Sequence, residues 1–504
     1  MEIKKTTADV CLITEGSYPY YPGGVTRWTE ELIREQKETS FHILSLVPPR
    51  PDLSSPRPFP DNVVGHSYLI VQDLPEGAPS WRTPKGFWEE SLRVFQGMTE
   101  SKSFSSFAPL LELVAKHRSL LGKRILSESR EAWDFFLCFY REVIPSGPFK
   151  ASFATIFTLS RSLFSLMLPE LPDAKLFHSV CTGYAGFLLY RAKVEKGVPC
   201  LITEHGVYTN ERRIEIAMSE WMSDLSSLDL DIEGKKNNLR DLWINAFYSM
   251  AHACYQSCDQ ILSTFQGTQS IQLQQGASPH KLRTILHGIN PAEYTPLIQK
   301  RKPHPPTIAF IGRIVPIKDI KTYIRACHIV SQKIQNVRFL LLGPTTEDPD
   351  YVQECKALID SLQMQDKLVF SGSVDLKAYF PEIDLLVLTS ISEVQPLIQL
   401  EAGAMGIPAI ATNVGAASEI ILGKEGETPP LGAGGIVTPL VSPDATVQAI
   451  LRLLEDHPFY EQCSQTIATR IQTYYKLQEE QSAYHSLYTH PWGATPNPAK
   501  GQVL

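Results

Sequence analysis

Residues 9–28 read DVCLITEGSYPYYPGGVTRW and contain the pattern that decides the fold. Residues 10–13 form a short, continuous apolar run, which is typical of a strand buried on both faces of a parallel sheet. A glycine-containing loop follows, and the next apolar residues recur at helical spacing. These are Val25, Trp28, Leu32 and Ile33. A strand, a glycine loop and a helix in this order predict the first unit of a doubly wound α/β domain.

Outward from this unit, strands and helices continue to alternate. In the first half of the chain, further strands are predicted at 41–47, 175–180, 200–203, 260–263 and 283–286. In the second half, they are predicted at 307–311, 338–342, 368–370, 385–388 and 409–411. The proline-rich residues 48–60 are predicted as a surface loop, because proline fits neither a helix interior nor a central strand.

Shifts in composition divide the chain into domains. The charged, proline-rich stretch 297–306 is predicted to link a first domain, 1–296, to a second domain, 307–457. Residues from about 85 to 168 are rich in Phe and Leu and are predicted as a helical insertion in the first domain. A last helix is predicted at 458–490. We therefore expect the α/β class, with two Rossmann-like doubly wound domains facing a central cleft, where ligands bind beyond the carboxyl ends of the strands.

The composition excludes several classes of protein. The chain has 504 residues, with 47 Lys and Arg against 54 Asp and Glu, and a formal charge of −7 is unfavourable for general nucleic-acid binding. The nine cysteines form no CxxC pair, and Cys254 and Cys258 are predicted as buried free thiols rather than zinc ligands. No apolar run approaches the roughly 20 residues of a membrane span, and no signal-peptide pattern opens the chain. We therefore expect a cytoplasmic protein.

The strongest chemical pattern is a pair of carboxylates within residues 390–415, SISEVQPLIQLEAGAMGIPAIATNVG. Glu393 lies in a loop after a predicted strand, and Glu401 lies eight positions later in a helix predicted over 395–405. Glu401 could accept hydrogen bonds from a vicinal diol such as a ribose, and Glu393 could accept one from a sugar hydroxyl. The alternative is two ordinary glutamates near a helix start, where the helix dipole favours carboxylates.

The start of the same helix is a candidate anion site. Pro396 fits the first turn of a helix, since it has no amide hydrogen to leave unpaired. The amides that follow, chiefly those of Leu397 and Ile398, could then bind phosphate oxygens.

The first strand of each predicted domain is followed by candidate binding residues. They are two cations in the second domain and two glycines in the first. Arg313 and Lys318, in GRIVPIKD, come after the strand 307–311 and could neutralise a diphosphate. Gly23 and Gly24 precede the first helix and would let a ligand approach the backbone closely. Surface cations and a plain turn are the alternatives for these residues.

His205 follows the predicted strand 200–203, in LITEHGVYTNERR, and is a candidate cleft residue. A single histidine in this position is otherwise a structural one. Tyr208 and Arg212 could line the acceptor side of the same cleft. The chain contains no P-loop, HExxH or GxSxG pattern, and the DxD at Asp348 to Asp350 is an isolated candidate for a metal-diphosphate site.

Together, several segments resemble the PelF-type glycosyltransferases of Pel exopolysaccharide synthesis, within family 4 of the retaining GT-B glycosyltransferases. They are DVCLITEGSYPYYPGGVTRW, TEHGVYTNERR, GRIVPIKDIKTYIRA and SISEVQPLIQLEAGAMGIP. The resemblance covers nearly the whole chain in motif order. It implies a GT-B fold, with the terminal helix crossing back to the first domain, and a cytoplasmic enzyme that works at the inner face of a membrane with a polysaccharide-synthesis complex.

The resemblance also implies roles for individual residues. Arg313 and Lys318 would bind the donor diphosphate, approached by Gly23, Gly24 and Leu397. Glu393, Val394, Gln395 and Pro396 would contact the donor sugar, with Glu393 and His205 at the reaction centre. Glu401 would bind the ribose, and Ser373 and Val374 would hold the base. No metal or cofactor would be required. The donor would be a UDP-linked hexose, glucose or a relative, and the acceptor a growing glycan.

The chain departs from the family at Val394, where the family usually has glycine. If the sugar packs on this backbone, a branched side chain would crowd it. This departure supports one alternative, an inactive GT-B-like nucleotide-binding scaffold subunit. A second alternative is a sugar-nucleotide epimerase or hydrolase on the same fold.

Overall fold

The computed structural model describes residues 7–54, 56–99, 106–143, 148–218 and 239–490. The chain forms two compact units. The described residues within 1–263, 269–283 and 485–504 form the first, and those within 264–268 and 284–484 form the second. Within the described part of the chain, every helix is too short or too polar to cross a lipid bilayer.

The first unit contains a seven-stranded sheet, with strand order β3-β2-β1-β4-β5-β6-β7. Its strands are β1 (Ala8–Glu15), β2 (Phe41–Val47), β3 (Val63–Ile70), β4 (Ala174–Ser179), β5 (Cys200–Glu204), β6 (Gln260–Ser263) and β7 (Leu282–Thr284). β1 pairs in parallel with both β2 and β4, so the predicted apolar run lies at the centre of the sheet. Because β1 is buried on both faces of the sheet, apolar and polar residues do not alternate along it.

Helices cover this sheet and form the segment between β3 and β4. They are α1 (Gly24–Glu35), α2 (Phe87–Thr99), α3 (Ala108–His117), a π-helix (Arg124–Glu128), α4 (Arg130–Val143), α5 (Phe149–Met167), α6 (Tyr184–Lys196), α7 (Tyr208–Met218), α8 (Leu239–Ser257), α9 (Thr268–Gln274) and a 3₁₀ turn (Pro279–Lys281). The Phe-rich helices between β3 and β4 share one buried core with the sheet, in which Phe95 packs edge-on against Phe135 at 5.3 Å between ring centroids.

The second unit contains a six-stranded sheet, with strand order β10-β9-β8-β11-β12-β13. Its strands are β8 (Thr307–Ile311), β9 (Arg338–Leu342), β10 (Leu368–Gly372), β11 (Leu385–Leu388), β12 (Ala409–Thr412) and β13 (Gly435–Thr438). Its helices are α10 (Thr295–Ile298), α11 (Ile320–Lys333), α12 (Pro349–Ser361), α13 (Leu376–Tyr379), α14 (Leu397–Ala404), α15 (Ala417–Leu422), α16 (Pro443–Glu455), α17 (His457–Tyr474) and α18 (Leu477–Thr489), with 3₁₀ turns at Pro291–Glu293, Pro316–Lys318 and Phe380–Glu382.

Two strands were not predicted, because neither has the pattern of a buried parallel strand. β3 is half-exposed along its length and carries Gly65 and His66 within the run VVGHSYLI. β13 has four residues and follows a glycine-rich loop. Both are edge strands, so neither is buried on both faces along its whole length.

The prediction of one continuous terminal helix at 458–490 was wrong. The chain leaves the helical conformation at Tyr475, between α17 and α18, and Lys476 forms a parallel bridge with Ile289. Gly288 makes this approach possible, because a Cβ atom there would lie 2.3 Å from the Lys476 carbonyl carbon. The terminal part of α18 belongs to the first unit, where the Tyr488 hydroxyl lies 2.8 Å from His178 Nδ1.

His178 should make the first unit sensitive to acid. Burial lowers the pKa of its imidazole to about 3 in the folded unit. In the unfolded chain, the pKa of a histidine is about 6.5, so between these two values only the unfolded state binds the proton. Stability is therefore lost as the pH falls through the unfolded value. We expect His178→Gln to remove about 2 kcal/mol of the difference in unfolding free energy between pH 7 and pH 5. Urea unfolding at both pH values measures this difference.

The exposed His280 of the same unit is the matched control. His280→Gln makes the same substitution at the surface of this unit, and its pH dependence is the baseline against which that of His178→Gln is compared. An unchanged pH dependence in His178→Gln would contradict the assignment of a buried, neutral imidazole.

Candidate functional site

The second sheet brings two loops together at its topological switch point. β8 and β11 are neighbours, and the chain proceeds from β8 towards one edge of the sheet and from β11 towards the other. The loop after β8 spans residues 312–319, and the loop after β11 spans residues 389–396. Doubly wound folds bind ligands outside the carboxyl ends of their strands at such a point. The predicted cations and Glu393 therefore meet where a ligand is expected.

An ion pair joins the two loops. Lys318 Nζ contacts Glu393 Oε1, and Ser390 Oγ donates a hydrogen bond to the same oxygen at 3.0 Å. Only 14% of the Lys318 side chain and 18% of the Glu393 side chain are exposed. A partly enclosed ammonium group forms strong bonds with phosphate as well as with carboxylate oxygens. An anionic ligand would therefore compete with Glu393 for this ammonium group.

Backbone and hydroxyl contacts fix the Lys318 loop against the loop after β11. Thr389 Oγ1 lies 3.1 Å from the carbonyl oxygen of Lys318 and 2.9 Å from that of Asp319. The amide of Ile391 donates to the carbonyl of Ile317 at 2.8 Å. Asp319 caps α11 in a left-handed conformation, and burial raises the pKa of its carboxyl group. The backbone that carries Lys318 is thus held against the loop after β11.

Arg313 is held differently from Lys318. Its Nη1 atom lies 2.6 and 2.8 Å from the two carboxylate oxygens of Glu347, which follows β9. The side chains of this pair are 42% and 50% exposed. An exposed ion pair contributes only about 0–1 kcal/mol, so a ligand can take Arg313 from Glu347 at little cost.

Helix α14 begins at Leu397, with Pro396 as its N-cap and no side chain capping its amides. The helix therefore starts two residues later than predicted. Gln395 remains in the loop, where its side-chain oxygen accepts from the His287 amide at 2.8 Å and its nitrogen donates to the His287 carbonyl at 3.3 Å. Glu401 lies in the second turn of α14 and is 4% exposed.

The loop before α14 rests on Gly415. Val394 is 6% exposed, and its carbonyl accepts a hydrogen bond from the Ala416 amide at 2.6 Å. Gly415 has a φ of +52°, and a Cβ atom there would lie 2.3 Å from the Glu393 carbonyl oxygen and 2.4 Å from that of Val394. Only glycine fits this position. The backbone of Glu393 therefore packs directly against the backbone of Gly415.

The first unit places a second group of predicted residues near the carboxyl ends of its strands. Gly23 is the N-cap of α1 and Gly24 its first residue, and both are exposed. A Cβ atom at Gly23 would meet nothing within 4 Å. His205 follows β5 and packs against Trp28 of α1, with 4.2 Å between ring centroids. The imidazole and the start of α1 are thus connected through one tryptophan.

Tyr208 and Arg212, predicted on the acceptor side, pack within the first unit. Tyr208 is 7% exposed, its hydroxyl donates to Glu15 at 2.6 Å, and its ring fills the space beside Gly183. The Arg212 guanidinium lies over this ring at 4.9 Å and bonds Glu215 at 2.7 Å. The geometry gives both side chains protein partners.

Glu204, the last residue of β5, is buried beside these groups. Burial raises the pKa of its carboxyl group to about 6, against the opposite effect of three donors. These donors are Gln272, Tyr255 and Thr182.

The remaining candidates lie apart from the switch point. Ser373 and Val374 follow β10, which β9 separates from β8. Asp348, the first residue of the DxD pattern, caps α12 by accepting from the Tyr351 amide at 2.9 Å. Among the described residues, no group of three or more His, Cys, Asp or Glu side chains is arranged to hold a metal ion. Cys254 and Cys258 are buried thiols, with their sulfur atoms 3.9 Å apart.

Comparison with known protein families adds an independent observation. Residues 8–280, more than half of the chain, match the family described as "domain of unknown function (DUF3492)". The chain belongs to the DUF3492 family. Residues 297–470 match the family described as "glycosyl transferases group 1", and the switch-point site lies within this matched segment.

Curated relatives of this DUF3492 chain match it over part of their length. An uncharacterised glycosyltransferase of Methanocaldococcus jannaschii is 26% identical over 231 residues, which are 43% of this chain and 56% of that protein. The D-inositol 3-phosphate glycosyltransferase of Pseudarthrobacter chlorophenolicus is 28% identical over 158 residues, 29% of this chain and 37% of that protein. The chain thus spans from about a third to just over half of the length of these relatives.

Solved structures share the fold over nearly the whole chain. Sucrose-phosphate synthase from Thermosynechococcus elongatus has a TM-score of 0.59 at 15% identity, covering 95% of this chain and 98% of that one. Anabaena HepE in complex with UDP and glucose has a TM-score of 0.58 at 13% identity, covering 96% and 100%. The fold is therefore GT-B, with two Rossmann-like domains, as predicted.

The residues that could touch a ligand were predicted from the sequence, but the residues that support the site were not. Thr389 and Ser390 were within the predicted strand-to-loop segment, and their position directly after an apolar strand was the available signal. Gly415 carried no such signal, because its close contact depends on the loop that packs above it.

Gly415→Ala should displace the loop that carries Glu393. The added methyl group would meet two carbonyl oxygens, and alanine is strained at the positive φ of position 415. We therefore expect the unfolding free energy to fall by more than about 2 kcal/mol. Denaturant unfolding measures it. Gly426 is the matched control, because it also has a positive φ, +80°, but open space around its Cβ position. Equal losses for the two variants would contradict the support role.

Proposed function

We propose that the protein is a retaining, metal-independent glycosyltransferase of the PelF type, in family 4. It transfers a hexose from a nucleoside diphosphate sugar, UDP-glucose or a relative, to a growing polysaccharide or other glycan in exopolysaccharide synthesis. The observation that carries the proposal is the Lys318–Glu393 pair at the switch point of a group 1 glycosyltransferase domain. The GT-B neighbours solved with UDP, with UDP and glucose, and with UDP-glucose support the choice of donor.

In this proposal, the diphosphate takes the place that Glu393 now occupies beside Lys318. The released Glu393 carboxylate accepts a hydrogen bond from a hydroxyl of the donor sugar. Arg313 leaves its exposed pair with Glu347 and adds a second cation. The amides at the start of α14, beginning with Leu397, complete the anion site, because the first amides of a helix lack partners within it.

The nucleoside is assigned to residues further along the same unit. Glu401 binds the ribose diol, and the segment with Ser373 and Val374 holds the base. Val394, Gln395 and Pro396 contribute their backbone to the sugar site, since the side chains of Val394 and Gln395 are buried. Gly23, Gly24 and His205 of the first unit act at the donor sugar and the reaction centre.

The reaction follows from these assignments. The bond between the anomeric carbon and the diphosphate breaks, and a bond from the acceptor oxygen forms on the same face of the sugar. The acceptor proton moves to the leaving phosphate oxygen. Lys318, Arg313 and the α14 amides stabilise the charge that grows on the diphosphate, and preorganised groups of this kind supply much of the rate acceleration of enzymes.

We propose a cytoplasmic location for this enzyme. It works at the inner face of a membrane, beside a membrane-embedded polysaccharide-synthesis complex that takes up the growing chain. Nucleic acid has no part in it.

Nucleotide binding tests the proposal. We expect calorimetry in the presence of EDTA to show binding of UDP and UDP-glucose in preference to GDP, ADP and their glucose conjugates. Selectivity for another base would retain the enzyme class and overturn the donor. Binding of none of these nucleotides would favour a scaffold subunit instead.

The cations should contribute unequally to UDP binding. Lys318→Met removes an enclosed charge, so we expect a loss of about tenfold or more in affinity, and a smaller loss for Arg313→Ala. Lys321→Met is the control, because Lys321 bonds Glu354 on the neighbouring helix α12. Equal affinities of the Lys318 and Lys321 variants would remove Lys318 from the site.

Glu401→Ala should weaken binding of UDP, by about tenfold if two ribose hydroxyls bond the carboxylate. The same change at the exposed Glu455 should have no effect. Both variants are checked by their urea unfolding midpoints, which show that the fold survives. An unchanged UDP affinity in folded Glu401→Ala would exclude this residue as the ribose ligand.

A further inference from the structure

A cluster of rings in the first unit lies outside the residues discussed so far. Four side chains form what we call the aromatic platform: Tyr20 from the loop after β1, Phe59 from the loop before β3, and His66 and Tyr68 from β3. Ring centroids are 5.8 Å apart for Tyr20 and His66, 6.4 Å for Tyr20 and Tyr68, and 4.9 Å for Phe59 and His66. β3 is the edge strand of its sheet, so the platform lies at an open edge.

The platform rests on a rigid base. Tyr18 is fully buried and packs edge-on against Phe59, with 5.8 Å between centroids. Its carbonyl accepts hydrogen bonds from Thr14 Oγ1 at 2.7 Å and Ser45 Oγ at 3.2 Å. Ser45 Oγ also lies 3.4 Å from His66 Nε2. Two strands of the sheet therefore hold the loop and the imidazole in place before any ligand arrives.

The rings of the platform are tilted against one another by 37° to 87°, and one of them is open to a ligand. Tyr68 is 47% exposed, and Tyr20, Phe59 and His66 are half-buried. Burial lowers the pKa of His66, which keeps its ring neutral at physiological pH. The charged side chains around Tyr18 are paired with one another, since Glu30 bonds both Arg34 and Arg57. Aromatic faces with hydroxyl and imidazole groups at their edges suit a ligand that is both apolar and rich in hydroxyls.

We propose that the aromatic platform binds an uncharged stretch of glycan chain, as part of the acceptor site. The C–H face of a pyranose ring stacks on an aromatic ring, and its hydroxyls bond tyrosine and histidine at the rim. The loop that carries Tyr20 continues directly to Gly23 and Gly24 at the start of α1, which connects the platform to the proposed transfer site. The assignment to the acceptor rests on the proposed function. The proposal that the platform binds a glycan is independent of the proposed function.

Binding of neutral hexasaccharides tests the platform. We would measure maltohexaose, cellohexaose and N,N′-acetylated chitohexaose by calorimetry, with hexagalacturonate as the charged counterpart. At least one neutral hexasaccharide should bind, and Tyr68→Ala and Tyr20→Ala should each weaken it by about fivefold. Trp81→Ala is the control, because Trp81 is 55% exposed and contributes no ring to the platform. It should bind like the parent protein.

UDP binding by the same samples separates this proposal from the previous one. UDP affinity unchanged in the Tyr68 and Tyr20 variants, with glycan binding reduced, supports a glycan site distinct from the donor site. Glycan binding without any UDP binding would retain the platform and overturn the transferase. The platform is overturned if no neutral hexasaccharide binds, if hexagalacturonate binds better than all of them, or if both tyrosine variants bind like the Trp81 control.

Discussion

The site depends on one constraint, the adjacency of β8 and β11 in the second sheet. These strands are far apart in the chain, yet they are neighbours because the strand order reverses between them. Their loops must therefore emerge side by side at the carboxyl edge. The Lys318–Glu393 pair is the chemical result, and the Thr389 contacts keep the two loops in register. The candidate ligand contacts of Lys318 and Glu393 follow from that arrangement.

In the proposed site, the enclosed pair keeps the charge of Lys318 neutralised until a ligand binds. Lys318 would be costly to leave unpaired where 86% of its side-chain surface is covered, and Glu393 supplies the missing partner. The exposed Arg313–Glu347 pair has a different character, since water screens it. We infer that Lys318 sets the position of a bound diphosphate and that Arg313 adds attraction.

The sequence was sufficient for the fold because both sheets are built from buried parallel strands. Runs such as those of β1 and β8 are continuous and apolar, so their class could be read directly. The edge strand β3 and the break at Tyr475 could not be read, since one is half-polar and the other depends on a bridge to Ile289. The prediction of the site was limited in the same way, because it too depends on contacts between distant parts of the chain. Lys318 and Glu393 were identified as candidates, but their pairing depends on strand order, which local patterns do not contain.

The most direct test of the account is a crystal structure of the protein with UDP bound. We predict that a diphosphate oxygen lies within hydrogen-bonding distance of Lys318 Nζ, that the Lys318–Glu393 contact is broken, and that the ribose faces Glu401. A structure in which UDP binds elsewhere while Lys318 and Glu393 remain paired would contradict the central claim.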